Sequence, residues 1–311
     1  MPLSLRRGRV TAIRERVDGL VRLDVDGVDC VAYPSVTGPV ALEDEVLVNV
    51  QARELGLGSG GFDVLYANLT RGLELAPEEG AHVMALPYTP LQHARVHIEE
   101  AGEPTPELAG MPVVCCSLHS QVAPACAALS GLRVAYVQLA GGALPVSLSD
   151  TVRLLKERGL VVDTAAVAPC FDADVQCVSV ASALGWAHGE HDVAVCSIGP
   201  GIVGTGTRFG HGGLAAAEAA NAALALGGVP VVAARVSGAD ERARHRGISH
   251  HTEAILALVQ GEPEVADSPG DGWREACEGL PLSHMGRGPD DDPEFFGAAF
   301  AAGLAARGLV G

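Results

Sequence analysis

From about residue 110 onward, short apolar runs alternate with segments of helical pattern, and this alternation constrains the fold more than any other feature. The apolar runs predict strands at 112–118, 133–139, 161–168, 192–198 and 229–236. Helices are predicted at 122–129, 150–158, 175–187, 214–226, 252–259 and 294–307. Strands that are apolar throughout are typical of a parallel sheet with helices on both faces. We therefore expect an α/β fold with a doubly wound, mostly parallel sheet.

The first 98 residues have a different pattern, in which short alternating segments are separated by turn signals such as Asp18-Gly19. Regular short strands with such turns are typical of a small β-barrel. The stretch that follows is interrupted by Pro104 and Pro106, which favours a linker. The chain is thus predicted to consist of a small β-barrel-like domain at 1–98, a linker at 99–108 and a Rossmann-like α/β domain at 109–311.

The charge of the chain limits its partners. Its 311 residues carry a formal net charge of −17, and so acidic a surface repels nucleic acids and anionic membranes. The most apolar stretch, 214–236, is interrupted by Glu218 and Asn221, and no apolar segment follows the charged start, so we expect neither a membrane span nor a signal peptide. Eight cysteines without a Cys-x-x-Cys motif suit buried thiols in a reducing compartment. We therefore expect a cytoplasmic protein with no nucleic-acid and no membrane partner.

Polar or glycine-rich residues follow each predicted strand. His119 follows the first strand, Gly142 the second, and Asp172 and Asp174 the third. The fourth strand leads into a glycine-rich loop, and the fifth into a segment rich in arginine and histidine. In open α/β sheets, ligands bind outside the carboxyl ends of the strands. The five loops are therefore expected to meet at one site.

The glycine-rich loop after the fourth strand predicts an anion-binding site. Its glycines allow backbone N–H groups to turn inward around an anion, and two threonines and an arginine add donors. With one glycine from the second loop, the expected ligand-binding residues are Gly142, Gly199, Gly201, Gly204, Thr205, Gly206, Thr207 and Arg208. The loop matches neither the Walker spacing nor the dinucleotide pattern, so it only weakly indicates a nucleotide. The alternative is a rigid turn that supports the sheet.

The segment 240–251 contains three arginines and three histidines. In an acidic protein it forms a local electropositive site for phosphate or carboxylate, to which we assign Arg242, Arg244 and His251. His245 and His250 are candidate catalytic acid–base residues. Because adjacent side chains at a helix start point in different directions, at most one of His250 and His251 is expected to share a site with His245. The alternative is a solvated loop with capping histidines.

Two further catalytic candidates are His119 and Asp174. His119 and its neighbour Ser120 follow an apolar strand, where they could act as acid–base groups or form a satisfied hydrogen-bonding pair. Asp172 and Asp174 could bind a divalent ion together with a histidine, or cap the helix that follows. The residues leave these alternatives open.

At four motifs the chain resembles a bacterial family known as domain of unknown function 3866. The motifs are 49–61 (NVQARELGLGSGG), 141–145 (GGALP), 199–207 (GPGIVGTGT) and 244–252 (RHRGISHHT). The resemblance covers both halves of the chain, and it implies a shared fold but no established activity. The family pattern also implies an aspartate before the second motif and a histidine two positions before Phe171. This chain has Ala140 and Pro169 there, which weakens a metal site built from those positions. Six candidates fit the pattern: Asp174, Arg208, Arg242, His245, His250 and His251.

These residues support three hypotheses. The first is an enzyme, a hydrolase or group transferase, in which the loops hold a small anionic metabolite and a histidine moves protons. The second is a non-catalytic regulatory module that binds the same metabolite. The third is a structural homo-oligomer whose loops form an interface. Because the candidate acid–base groups exceed what anion binding alone needs, we favour the enzyme. We expect it to assemble as a homo-oligomer, a dimer. A divalent metal is a candidate cofactor.

Overall fold

A computed structural model describes residues 3–56, 61–71, 75–102, 104–105 and 107–311. In it the chain divides into two units, Met1–Arg95 and Val96–Gly311. The segment 99–108, predicted as a linker, belongs to the second unit. Residues 57–60 of the motif at 49–61 lie outside the described residues, as do Glu103 and Pro106 of the predicted linker.

Short alternating strands close part of the first unit into a barrel, as predicted. Its strands are β1 (Leu5–Val17), β2 (Leu20–Val25), β3 (Val28–Ala32), β4 (Glu45–Asn49) and β5 (Asp63–Asn68), in the order β1-β2-β3-β5-β4. The unit also contains the one-turn helices α1 (Pro34–Thr37) and α2 (Gln51–Glu54) and a hairpin of β6 (Val83–Ala85) and β7 (His93–Arg95). Inward-facing residues such as Val10, Leu23 and Val46 pack in the centre of the barrel.

Parallel strands form the central sheet of the second unit, which confirms the predicted α/β fold. In chain order they are β8 (Pro112–Cys116), β9 (Val134–Leu139), β10 (Asp163–Val167), β11 (Val175–Cys177), β12 (Val193–Ile198) and β13 (Val229–Ala233). A short antiparallel pair, β14 (Val236–Ser237) and β15 (Gly247–Ile248), comes next, and β16 (Glu264–Ala266) returns to the sheet. The strand order of the sheet is β11-β10-β9-β12-β8-β13-β16.

Helices cover both faces of this sheet. They are α3 (Ile98–Ala101), α4 (Val122–Ala128), α5 (Asp150–Glu157), α6 (Val180–Glu190), α7 (Ala215–Ala225), α8 (His250–Leu256), α9 (Trp273–Ala276) and α10 (Pro293–Leu309). Alternate residues of β8 point to opposite faces, since Val114 and Cys116 pack with α4, α5 and α10, whereas Val113 and Cys115 pack with α6 and α7. Within the part of the chain that the structure describes, no helix has the length and apolar content needed to cross a membrane.

The connections between strands change from one face of the sheet to the other around β12. The connections after β8 and β9 run through α4 and α5 on one face, whereas the connection after β12 runs through α7 on the other face. β12 lies between β9 and β8, so neighbouring strands of the sheet are left by connections that run over opposite faces. Such a switch point leaves a crevice outside the carboxyl ends of the strands, where open α/β sheets bind ligands.

The helix predicted at 175–187 is wrong in its first part. Val175–Cys177 forms the edge strand β11, and α6 begins only at Val180. Ser179 is the N-cap of α6, because its side chain accepts the N–H of Ser182. The β-branched residues Val175 and Val178 before this cap favour an extended backbone over a helix.

Candidate functional site

Three histidines that follow β13 gather around one point. His245 ends a 3₁₀ turn (Ala243–His245), and His250 and His251 are the first residues of α8. The ring centroid of His245 lies 4.8 Å from that of His250 and 5.0 Å from that of His251, and the last two are 4.6 Å apart. One ring nitrogen of each histidine lies within 4.8 Å of the other two. We refer to His245, His250 and His251 as the histidine cluster.

The loop after β13 holds these rings because its two ends are tied together. β14 and β15 pair across the loop, and Ser249 follows as the N-cap of α8. The Ser249 hydroxyl accepts the backbone N–H of His251 at 3.2 Å and hydrogen-bonds Nδ1 of His245 at 2.7 Å. One serine thus caps the helix and orients an imidazole.

The expectation that at most one of His250 and His251 shares a site with His245 is wrong. Successive side chains of a helix do diverge by about 100°, and the two rings are inclined by 62°. However, His250 and His251 are the first two residues of α8, so no earlier helical turn lies between their rings and the segment that precedes the helix. Both rings therefore reach that segment. His245 lies in that segment and contacts both rings.

A fourth histidine reaches the cluster from another loop. His211 ends the glycine-rich loop after β12, and its ring stacks on that of His251 with centroids 3.7 Å apart and planes 14° from parallel. Its backbone forms a bridge with Gly204, where a Cβ would lie 2.9 Å from the Cβ of His211. His211 is only 6% exposed. The loops after β12 and β13 therefore form one site.

A buried ion-pair network also follows β13. Asp240 pairs with three guanidinium groups, those of Arg235 at 3.4 Å, Arg242 at 2.8 Å and Arg287 at 3.3 Å. Arg287 pairs in addition with Asp292 at 3.1 Å. Arg235, Asp240 and Asp292 are buried. Three guanidinium groups thus share two carboxylates, which leaves one positive charge of the network uncompensated.

The network touches the histidine cluster through Arg235, whose Nη1 donates to Nδ1 of His251 at 3.3 Å. Arg242, predicted to bind a ligand, instead donates to Asp240 through its Nε at 2.9 Å and its backbone N–H at 3.0 Å. The structure therefore places Arg242 in the network that supports the loop, and not among groups free to neutralise a ligand.

Burial lowers the pKa of all four histidines at the site. The pKa falls to about 3 for His245 and to about 2 for His251. The pKa values of His211 and His250 are lowered in the same direction. The charge of Arg235 lowers each pKa further. The four imidazoles are therefore neutral near pH 7, and a neutral imidazole has one nitrogen that can accept a proton or bind a metal.

Several buried polar atoms here have no hydrogen-bond partner among the described residues. They are Nδ1 and Nε2 of His211, Nε2 of His250, Nε2 of His284, Nε of Arg235 and Oδ1 of Asp292. The Nδ1 atom of His284 lies 3.3 Å from the hydroxyl of Ser120, and its ring stacks on Phe295. A buried polar group without a partner costs about 1–3 kcal/mol, and native proteins leave few of them. Their concentration at one place is typical of a site for a polar ligand.

Two glycines predicted to bind a ligand serve instead to pack loops together. A Cβ at Gly142 would lie 2.2 Å from the carbonyl oxygen of Gly199, and a Cβ at Gly199 would lie 2.1 Å from that of Ala143. Gly201 adopts a φ of +73°, a conformation that favours glycine. The alternative of a turn that supports the sheet therefore describes Gly142 and Gly199 better than a nest for an anion does.

The tip of the glycine-rich loop is exposed and lies beside positive charge. Thr205 and Thr207 hydrogen-bond each other through their hydroxyls at 2.9 Å. The guanidinium carbon of Arg244 lies 3.7 Å from the position of a Cβ at Gly206. The guanidinium of Arg208 lies 5.1 Å from the ring centroid of the following residue. Both arginines are exposed and form no ion pair with any described residue, so their charges remain free for a ligand.

His119 is held by hydrogen bonds at both of its ring nitrogens. Nδ1 lies 3.3 Å from the carbonyl oxygen of Ile198, and Nε2 lies 2.7 Å from the hydroxyl of Ser149, the N-cap of α5. Burial lowers the pKa of His119 to about 4, so the neutral ring donates at Nδ1 and accepts at Nε2. This arrangement favours the hydrogen-bonding alternative for His119 over the catalytic one.

Asp174 is not brought to the histidines. Its carboxylate accepts the N–H and the hydroxyl of Thr164, both at 2.8 Å, and pairs with Lys156. Thr164 lies at the start of β10, so Asp174 lies at the amino ends of the strands, whereas the histidines lie beyond the carboxyl ends. Asp172 accepts the hydroxyl of Ser147 at 2.9 Å. Among the described residues, neither aspartate belongs to a group of metal-ligating side chains.

Sequence reasoning missed three residues of this site, His211, Arg235 and His284. His211 stands between glycines directly after the glycine-rich loop, and this position could have identified it. Arg235 is a charged residue at the carboxyl end of an apolar strand, which is the signal that selected His119. His284 lies in a segment without a recognisable pattern, and no signal in the sequence marks it.

Comparison with known proteins finds a family model that matches most of the chain. This model, described as protein of unknown function (DUF3866), matches residues 29–270. The matched part includes the glycine-rich loop, His211 and the histidine cluster, whereas His284 and Asp292 lie beyond it. No curated protein matches the chain.

Proposed function

The chain belongs to the DUF3866 family, whose function is unknown, and we propose from its own site that it is an enzyme, a hydrolase or group transferase, acting on a small anionic metabolite. The observation that carries this proposal is the meeting of four neutral imidazoles with an ion-pair network in which three guanidinium groups share two carboxylates. The site lies at the carboxyl ends of β12 and β13, where ligands of α/β sheets bind.

The charges at the site favour an anion as its substrate. The buried network has an uncompensated positive charge beside the histidine cluster. Arg208 and Arg244 add two exposed guanidinium groups near the tip of the glycine-rich loop. Guanidinium groups bind phosphate and carboxylate with two parallel hydrogen bonds, and these bonds strengthen where water is excluded. In a chain with a net charge of −17, such a local excess of positive charge selects a small anion.

The histidines supply the acid–base groups that hydrolysis or group transfer requires. Its lowered pKa keeps the imidazole of His211 neutral, and both nitrogens of this ring are buried without a partner among the described residues. A neutral imidazole within hydrogen-bond reach of a nucleophile accepts its proton and later returns it to the leaving group. The arrangement therefore supports proton transfer next to a bound anion, which exceeds what a binding module needs.

Thermal denaturation with a panel of phosphorylated and carboxylated metabolites tests whether an anion binds. We expect one or more of them to raise the melting temperature of the wild-type chain. Arg244→Ala should lose this stabilisation, whereas the control Arg246→Ala, an exposed arginine of the same segment, should keep it. Equal stabilisation of both variants and the wild type would exclude Arg244 as an anion contact, and no stabilisation by any anion would remove the proposal.

Incubation of the protein with the stabilising metabolite separates an enzyme from a binding module. In an enzyme, mass spectrometry detects a product whose amount grows with protein concentration. His211→Phe should slow its formation while the anion still stabilises the fold. A metabolite that binds and stays unchanged under conditions that supply water and common acceptors would contradict the catalytic role and leave the regulatory module.

A further inference from the structure

We propose that His245, His250 and His251 bind one divalent transition-metal ion, of the class to which zinc and cobalt belong, and leave one coordination position open. The inference rests on the geometry of the histidine cluster. It is independent of the proposed function, because an ion can bind there whether or not an anion is converted.

The spacing of the histidine cluster fits one ion after a small movement. Zinc–nitrogen bonds of about 2.0–2.1 Å place the nitrogens of a tetrahedral site about 3.4 Å apart. One nitrogen of each histidine lies within 4.8 Å of the other two, so a rotation of one imidazole that moves its nitrogen by about 1.4 Å closes the widest pair. His250 is only partly buried, and its ring can rotate with the least change in packing.

The donor atoms select the class of metal. Among the described residues, the group of candidate ligands consists of three imidazoles and includes no carboxylate or thiolate. Imidazole suits zinc, copper, nickel and iron, whereas magnesium and calcium require oxygen ligands. Three histidines with a fourth position left to water are typical of catalytic zinc sites, since structural sites have four protein ligands.

Ser249 orients one ligand as a metal site requires. Its hydroxyl lies 2.7 Å from Nδ1 of His245, and when Nδ1 donates to this hydroxyl, Nε2 is left to bind an ion. Metal-bound histidines nearly always have such a partner on the second nitrogen. The same hydroxyl caps α8, so His245 and the first turn of α8 are held in one arrangement.

Arg235 is the group that opposes a cation at this site. Its guanidinium donates to Nδ1 of His251 at 3.3 Å, and it cannot accept a proton in return. An ion bound at Nε2 of His251 moves the ring proton to Nδ1, so this long hydrogen bond breaks when the metal binds. Asp240 offsets the charge of Arg235. An anion, such as hydroxide, in the open position of the metal offsets part of the positive charge of the ion and of the network.

His211 stacks on a ligand without being a ligand. Its ring lies nearly parallel to that of His251, with centroids 3.7 Å apart. Because a metal lies in the plane of the imidazole that binds it, an ion in the plane of His251 lies well out of the plane of His211. His211 thus remains beside the ion with both of its nitrogens unbonded among the described residues, where it can exchange a proton with a metal-bound water.

Calorimetric titration of the chelator-treated full-length chain with Zn²⁺ and with Co²⁺ tests the proposal. We expect one ion per chain and, for Co²⁺, visible absorption bands of a four- or five-coordinate site. His250→Ala should weaken binding by at least about 100-fold, beyond the loss that indirect contacts cause. The control is His188→Ala, in the last turn of α6, which leads to the amino end of β12. This variant should bind both ions as the wild type does.

Crystals soaked in Zn²⁺ give a second measurement that does not depend on how the variants fold. An anomalous peak between His245, His250 and His251 would support the proposal. A wild-type chain that binds neither ion, a His250→Ala variant that binds like the wild type, or a peak only elsewhere would overturn it. Repeating the anion panel on metal-free protein separates the two proposals, because anion stabilisation without any metal binding keeps the proposed function and removes the metal.

Discussion

The imidazole rings of His211 and His251 lie stacked, with their centroids 3.7 Å apart and their planes 14° from parallel. The stack joins the loops that follow β12 and β13, two strands that are separated in the sheet by β8. Since both residues are buried, the contact determines how closely the glycine-rich loop approaches the histidine cluster. A substitution of His211 therefore affects the site, although His211 is not part of the histidine cluster.

Replacing His211 by Phe keeps an aromatic ring in the stack and removes both ring nitrogens. We expect H211F to bind Zn²⁺ like the wild type, because His211 is not a ligand. Turnover of the anionic substrate should fall by about 100-fold or more, which is the usual contribution of an acid–base group. Zinc titration and initial rates on the same preparations measure the two effects.

Replacing His211 by Ala removes the stack as well and serves as the comparison. This variant should lose about 1–3 kcal/mol of unfolding free energy, from the cavity and the lost ring contact, which urea unfolding measures. If H211F is as active as the wild type, His211 acts only by packing, and its role in proton transfer is refuted.

The close approach of Gly142 and Gly199 gives a prediction about stability. In Gly142→Ala the new Cβ would lie 2.2 Å from the carbonyl oxygen of Gly199, so the loops after β9 and β12 must separate. We expect a loss of about 3 kcal/mol in unfolding free energy. The control is Gly189→Ala in α6, where a Cβ meets nothing within 4 Å, and where alanine should stabilise by about 0.5–1 kcal/mol. Equal urea midpoints for the two variants would contradict the packing role.

The fold of the second unit could be predicted from the sequence because its central strands are apolar along their whole length. Residues such as Val113 and Val114 are buried on opposite faces, and only a sheet covered on both sides lets a strand be apolar throughout. The carboxyl ends of such strands fix where the loops lie. For the same reason His245 and the residues of α8 could be placed at this edge from the sequence.

The partners of individual side chains were not predictable, because they depend on contacts between distant segments. His119 satisfies its two nitrogens with Ile198 and Ser149, and no pattern near His119 indicates either. Asp174 follows the third predicted strand, but the unpredicted edge strand β11 turns it to the amino ends of the sheet. The stack of His211 on His251 joins two loops whose separation the sequence does not encode locally.

The shared carboxylate of Asp240 leads to a prediction about the ion-pair network. Asp240→Asn leaves three guanidinium groups, of which Arg235 is buried, with one carboxylate. Removing one partner of a buried ion pair lowers the unfolding free energy by about 3–5 kcal/mol, and we expect a loss of this size by urea unfolding. The control is Asp290→Asn, whose pair with Arg274 is exposed and should contribute about 0–1 kcal/mol. Similar losses in the two variants would contradict the role of Asp240.

His119 gives a prediction about acid stability. Burial lowers its pKa from 6.5 to about 4, so the unfolded chain binds a proton there more readily than the folded chain. The stability that His119 contributes is therefore complete above pH 6.5 and is lost as the pH falls from 6.5 towards 4. His119→Gln keeps a donor and an acceptor but does not titrate. Between about pH 7.5 and about pH 5 the variant should lose about 2 kcal/mol less unfolding free energy than the wild type. Urea unfolding at both pH values measures the difference, and an equal loss in the two proteins would show that His119 is not held neutral by the fold.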